Sequence, residues 1–157
     1  MKAATISQLK KTLVKLDHDA LLDACLRLAK SKVDNKELLT YVLMKSVDEP
    51  AYVAEVCDEI DEQIPAAKTI HKKTLRKIVR VMDKRIRHSG DRETELQIRI
   101  YFCRQFVDRG IRFGNCRVSA NMYASQLKKI EKAIERVHPD LQFDFRQDMR
   151  GLDTWIR

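Results

Sequence analysis

Four glycines and three prolines in 157 residues leave this chain few places to turn or to break a regular element. Glycine supplies left-handed backbone and proline removes a donor, so together they punctuate structure, and average usage is roughly 12%. A chain with so little punctuation is built from a few long elements joined by short connections. Leu, Ala, Lys, Arg and Glu are abundant and aromatics make up only 6%. That composition favours helix over strand.

Apolar residues recur at helical spacing almost throughout, predicting about eight helices in an all-α fold. The arrangement is either an irregular multi-helix bundle or a short, α-solenoid-like stack of antiparallel helix pairs. The first helix is expected over roughly 7–15, capped by Ser7, with Leu9, Leu13 and Leu16 inward. A second follows the Asp17-His18-Asp19 turn to about Ser31, with Leu21, Leu22, Cys25, Leu28 and Ala29 on one face. Asp34 and Glu37 form a capping-box-like pair opening a third, to about Ser46. Asp48 and Pro50 open a fourth that should stop near Pro65. A fifth spans about 67–88 and ends at Gly90. Asp91 caps a sixth, to about Arg109. After a loop from Gly110 to Val118, Arg117 or Ser119 opens a seventh, to about His138, and Pro139 starts the last. Leu152 to Arg157 either fray or dock through Trp155. No linker or low-complexity stretch interrupts residues 1–157, so a single helical domain is expected, with 44% hydrophobic residues to fill its core.

The N-terminus carries no signal-like apolar run, and no stretch is long and apolar enough to cross a membrane. Cys25, Cys57, Cys103 and Cys116 are widely separated without a CxxC pair, which reads as buried thiols rather than disulfides or a zinc site. A cytoplasmic protein with no membrane, metal or cofactor is the expectation.

Net charge is +8, and it is not evenly spread. Residues 68–92 hold ten Lys or Arg against two Asp. On a helical projection Leu75, Ile78, Val79, Met82 and Ile86 share one side. Lys73, Arg76, Lys77, Arg80, Lys84 and Arg87 make a stripe of one sign on the other. Such a ridge can follow a phosphate backbone. The plain alternative lies directly upstream: seven acids between Asp48 and Glu62, with Glu55, Asp58, Glu59 and Glu62 outward, could neutralise the stripe from a neighbouring antiparallel helix.

The sixth helix is apolar around most of its circumference and is expected at the centre. Within it Glu95 and Arg99 sit one turn apart, and the plain reading is a half-exposed ion pair. A buried pair would instead need a role in packing or binding. With His88 in the preceding turn they form the one polar constellation outside the stripe. Aromatics interleave with arginines from Arg99 to Arg117, mostly at core spacing, leaving Phe113 as the one candidate for an exposed stacking residue. Asp140, Asp144 and Asp148 read as a solvated face. Metalloprotease, nucleophile-elbow, P-loop and dinucleotide motifs are all missing.

Leu9-Lys10-Lys11-x-Leu13 followed by Leu21-Leu22 resembles the helix-turn-helix of SAP-type DNA-binding modules, without the glycine of that family's connecting turn. Several other segments are together similar to a family of small bacterial helical proteins known only as a domain of unknown function. They are Asn35-Lys36-Glu37-Leu38-Leu39, Glu55 to Gln63, Ile86-Arg87-His88-Ser89-Gly90, Thr94-Glu95, Tyr101-Phe102-Cys103 and His138-Pro139-Asp140-Leu141-Gln142-x-Asp144. That resemblance implies an all-helical cytosolic bacterial protein and carries no activity or cofactor. The function expected from these readings is a non-enzymatic helical interaction module, monomer or homodimer, acting through a charged surface on an unknown protein partner or nucleic acid. Nucleic-acid binding through the stripe is the alternative. An enzyme using His88, Glu95 and Arg99 comes third.

Overall fold

The computed structural model describes residues 2–114 and 116–156. It is all-α: α1 (Ile6–Leu13), α2 (His18–Ser31), α3 (Val33–Thr40), α4 (Glu49–Gln63), α5 (Lys72–Ser89), α6 (Arg92–Asp108), α7 (Arg117–Ile134) and α8 (Pro139–Asp148). A π segment, Tyr41–Lys45, follows α3, and a 3₁₀ turn, Asp153–Ile156, ends the chain. Among the described residues the only β-type pairing is an isolated bridge between Thr69 and Arg112. None of the described helices is long and apolar enough to cross a membrane. The chain divides into two compact units, Met1–Leu43 and Met44–Arg157.

In the first unit α2 and α3 pack on each other. Thr5, not Ser7, caps α1, because Gln8 three residues on completes a reciprocal capping box (Gln8 N to Thr5 Oγ1 3.3 Å, Thr5 N to Gln8 Oε1 2.9 Å). Ser7 has Lys10 at that spacing and cannot form one. The expected Asp34 cap is also displaced. Asn35 Nδ2 donates back to the Leu28 carbonyl (3.0 Å) and Ser31 Oγ (3.1 Å). The connection thereby shortens to the extended Lys32, and α3 starts at Val33. Its α geometry ends at Thr40 and widens into the π segment. Leu9, Leu13 and Leu16, expected inward, are exposed, and of this unit's described residues only Tyr41 is buried. Three short helices offer too little opposing surface to enclose their own apolar faces. Cys25, Leu28, Ala29, Asn35, Leu38, Leu39 and Val42 line an apolar cavity of about 290 Å³ between α2 and α3.

The second unit is an irregular bundle with α6 at its centre, packed against α4, α5 and α7. Leu96, Ile98, Phe102, Cys103 and Phe106 of α6 are fully buried. Also buried are Val56 and Ile60 of α4, Leu75, Ile78 and Met82 of α5, and Tyr123 and Ile130 of α7. The Asp48, Asp91 and Pro139 starts fall as expected, and Gly90 takes φ +68° at the end of α5. Two boundaries move. The fifth helix opens at Lys72 rather than 67, because Lys68 is drawn out to accept from Arg112 N (2.8 Å). The seventh stops at Ile134, where Glu135 caps it and the Arg136 and Val137 amides tighten onto the Ala133 and Ile134 carbonyls. Phe113 is no exposed stacker: it packs on Phe106 and Tyr123, with ring centroids at 5.5 and 5.3 Å. The C-terminus docks, with Leu152 fully buried, Tyr123 Oη donating to its carbonyl at 3.0 Å and Trp155 Nε1 donating to Ile111 O at 2.9 Å.

Candidate polyanion-binding face and the buried arginine behind it

Helix α5 presents the stripe because its apolar residues fall three and four apart and face α4, α6 and α7, which leaves the opposite arc to solvent. Lys73, Arg76, Lys77, Arg80 and Arg87 are exposed and Lys84 is half-buried. From Lys73 to Arg87 the row runs about 21 Å at 1.5 Å per residue.

The acids of α4 do not pair with four of the cations in this row. Glu59 takes a bidentate bond from Arg85 (2.8 and 3.2 Å), which lies on the α4-facing flank of α5 rather than on the stripe. Asp61 turns to α6, accepting from Tyr101 Oη (2.7 Å) and pairing with Arg109 Nη2 (2.8 Å). Glu55 pairs with Lys45, and Glu49 accepts from Thr94 Oγ1 at 2.7 Å. Lys73, Arg76, Lys77 and Arg80 have no acidic partner within 4.0 Å among the described residues. The neutralised-stripe expectation fails for these four: Glu59 is turned onto Arg85, Asp61 onto α6 and Glu55 onto Lys45.

The sole acid on α5, Asp83, belongs to a second feature. Arg99 is only 5% exposed, so the half-exposed pair expected from the sequence is instead a buried three-helix junction. Its Nε donates to Glu95 Oε1 (2.9 Å), and its Nη1 donates to Asp83 Oδ1 (2.7 Å) and to Gln126 Oε1 of α7 (2.6 Å). Lys129 of α7 adds bonds of 3.0 and 3.3 Å to Asp83, and Arg92 reaches Glu95 at 3.2 Å. Burial pushes the Asp83 carboxyl up, but the bonds and charges of Lys129 and Arg99 outweigh it and hold the group below the usual carboxylate range. Each charge has an opposite within bonding distance, which a buried cluster requires. His88 is buried at the end of α5 and bonds neither Glu95 nor Arg99, so the expected trio is reduced to the pair. The guanidinium is committed to protein acceptors on α5, α6 and α7, which makes it a packing device rather than a reactive group.

Asp83, Gln126 and Lys129 were not singled out from sequence. Asp83 could have been found as the lone acid in a basic helix, and Gln126 as a polar residue among Tyr123, Leu127 and Ile130 on the buried face of α7.

The four cysteines are free. Burial pushes the Cys57 and Cys103 thiols up to about 12. Cys116, half-exposed at the start of α7, is held below the ordinary thiol value by the Ser119 hydroxyl (3.3 Å), with backbone amides of Ser119 and Val118 assisting.

Comparison with protein-family models, curated proteins and solved structures finds no match for the chain. The chemistry of these two features is therefore the guide to function.

Proposed function

We propose that this protein is a helical binding module that engages nucleic acid through the phosphate backbone, with the outward face of α5 as the contact. The observation that supports this reading is the set of four exposed cations, Lys73, Arg76, Lys77 and Arg80, left without acidic partners beside an acidic helix whose Glu59 and Asp61 bond Arg85, Tyr101 and Arg109 instead. A charged helix face serves solubility by default, and the neighbouring acids would normally offset it. Here the positive potential stays outward, and a polyanion gains by releasing condensed counterions on contact. No catalytic step is assigned.

The test is fluorescence anisotropy with a labelled duplex over a salt series. If each of the four cations neutralises one phosphate, log K falls against log salt with a slope of about −3.6, roughly 150-fold between about 50 and 200 mM. Charge reversal in K77E/R80E should weaken binding to every sequence alike and reduce the slope by about 2. No binding at about 50 mM salt by the wild-type chain refutes the reading.

A further inference from the structure

We infer that the binding face extends from α5 onto α7 and that its ligand is double-stranded nucleic acid, gripped by two rows of cations on parallel helices. This rests on the phosphate-binding reading of α5 and names its ligand class.

The two helices are aligned at two points. Thr69, three residues before α5, is bridged to Arg112, five residues before α7, and Arg112 N donates to Lys68 O at 2.8 Å. Further along, Asp83 of α5 bonds Lys129 of α7. Both helices therefore run in the same direction, side by side. Lys132 follows Lys129 by three residues, one turn on along α7, and Arg136 falls in the turn just past the helix end at Ile134. Both are exposed, and neither has an acidic partner within 4.0 Å among the described residues. Glu131 of α7 falls about 200° round the helix from Lys129, away from α5, and Glu135 caps the helix end. On the α5 side of the seam, Arg80 and Arg87 lie one turn either way from Asp83.

That seam explains why Asp83 does not spoil the face. It is the one carboxylate on α5, and Arg99 offsets it from behind while Lys129 offsets it from the side. The same bonds tie α7 to α5, fixing the second row against the first at a helix-to-helix spacing of about 8–10 Å.

The ligand class follows from what the face lacks. Single-strand binders draw much of their affinity from bases stacked on exposed aromatic rings. Helix α5 contains no Phe, Tyr or Trp, and the sole such residue of α7, Tyr123, is fully buried against Phe106 and Phe113. A broad basic surface without stacking platforms suits the dense phosphates of a duplex, one charge per roughly 1.7 Å of axis.

The experiment measures binding of the full chain to a fluorescein-labelled duplex and to one of its strands alone, over a salt series, for wild type, K77E/R80E and K132E/R136E. Unlabelled poly-glutamate serves as an acidic polypeptide competitor. The expected result is duplex binding at least about ten-fold tighter than single-strand binding at equal salt. K132E/R136E should lower duplex affinity about ten-fold or more and reduce the salt slope by about 2. Trp155 fluorescence and circular dichroism report whether each variant is folded, and the neutral pair K132Q/R136Q reads the same effect if charge reversal disturbs the fold. If K77E/R80E weakens binding while the α7 variants leave affinity and slope unchanged, the second row is overturned and the α5 reading stands. A single strand bound as tightly as the duplex overturns the ligand class. Binding to neither, with or without interaction with poly-glutamate, overturns the nucleic-acid reading itself.

Discussion

Replacing Arg99 with methionine keeps much of the side-chain volume and removes three bonds, two to carboxylates and one to the Gln126 amide. Deleting one partner of a buried ion pair costs about 3–5 kcal/mol, most of it from the charge left behind. Two features place R99M at the lower end. Asp83 has 34% of its side chain exposed and keeps Lys129, while Glu95, 15% exposed, keeps Arg92. The expected loss is thus about 3 kcal/mol. With a urea m-value near 2 kcal/mol/M, the unfolding midpoint would drop by about 1.5 M. Trp155 is the sole tryptophan and its indole bonds Ile111, so its fluorescence reports unfolding of the second unit. The double variant E95L/R99M removes the stranded carboxylate and should recover about half of the loss, since exchanging a buried pair for apolar residues is often near neutral. A half-exposed pair would behave otherwise: each single variant would cost under about 1 kcal/mol. An R99M loss below about 1 kcal/mol, or a double variant as unstable as the sum of the singles, would refute the buried-junction argument.

The other two predictions concern titrating groups. Asp83 has a depressed folded pKa, so its contribution to stability is present above the unfolded value of about 3.9 and is lost as pH falls through the folded value. Urea midpoints followed by Trp155 fluorescence between about pH 5 and 2 should fall less steeply for D83N than for wild type, and parallel curves would remove Asp83 from the acid response. For the cysteines, limited iodoacetamide labelling at neutral pH should modify Cys116 well before Cys57 and Cys103, as read by peptide mass mapping. S119A should slow the Cys116 reaction by raising its thiol pKa, and equal labelling of the three would contradict the Ser119 contacts.

What the sequence makes legible here is local, and what it hides is angular. The Asp48, Asp91 and Pro139 starts and the Gly90 stop are chemical decisions made within four residues, and they fall where the residues put them. Capping errors arose where two local options competed. Ser7 and Thr5 both offer a capping hydroxyl near the start of α1, and only the glutamine three residues after Thr5 decides between them. The stripe is legible for the same reason, since a 100° step sorts Lys73 to Arg87 from Leu75 to Ile86 without any partner in view. Its fate is not, because neutralisation by α4 depends on where that helix sits around α5. An acidic helix next in sequence is adjacent along the chain, yet its Glu59 reaches the flank at Arg85, its Asp61 turns to α6 and its Glu55 pairs with Lys45. Arg99 shows the same limit from inside. Spacing identifies Glu95 as its partner, but Asp83 and Gln126 come from other helices, and their convergence decides that the pair is buried. The two features therefore share one cause. With Glu59 and Asp61 of α4 turned from the stripe, the carboxylate left beside it on α5 is Asp83, and Arg99 and Lys129 offset that carboxylate while bringing the basic edge of α7 alongside.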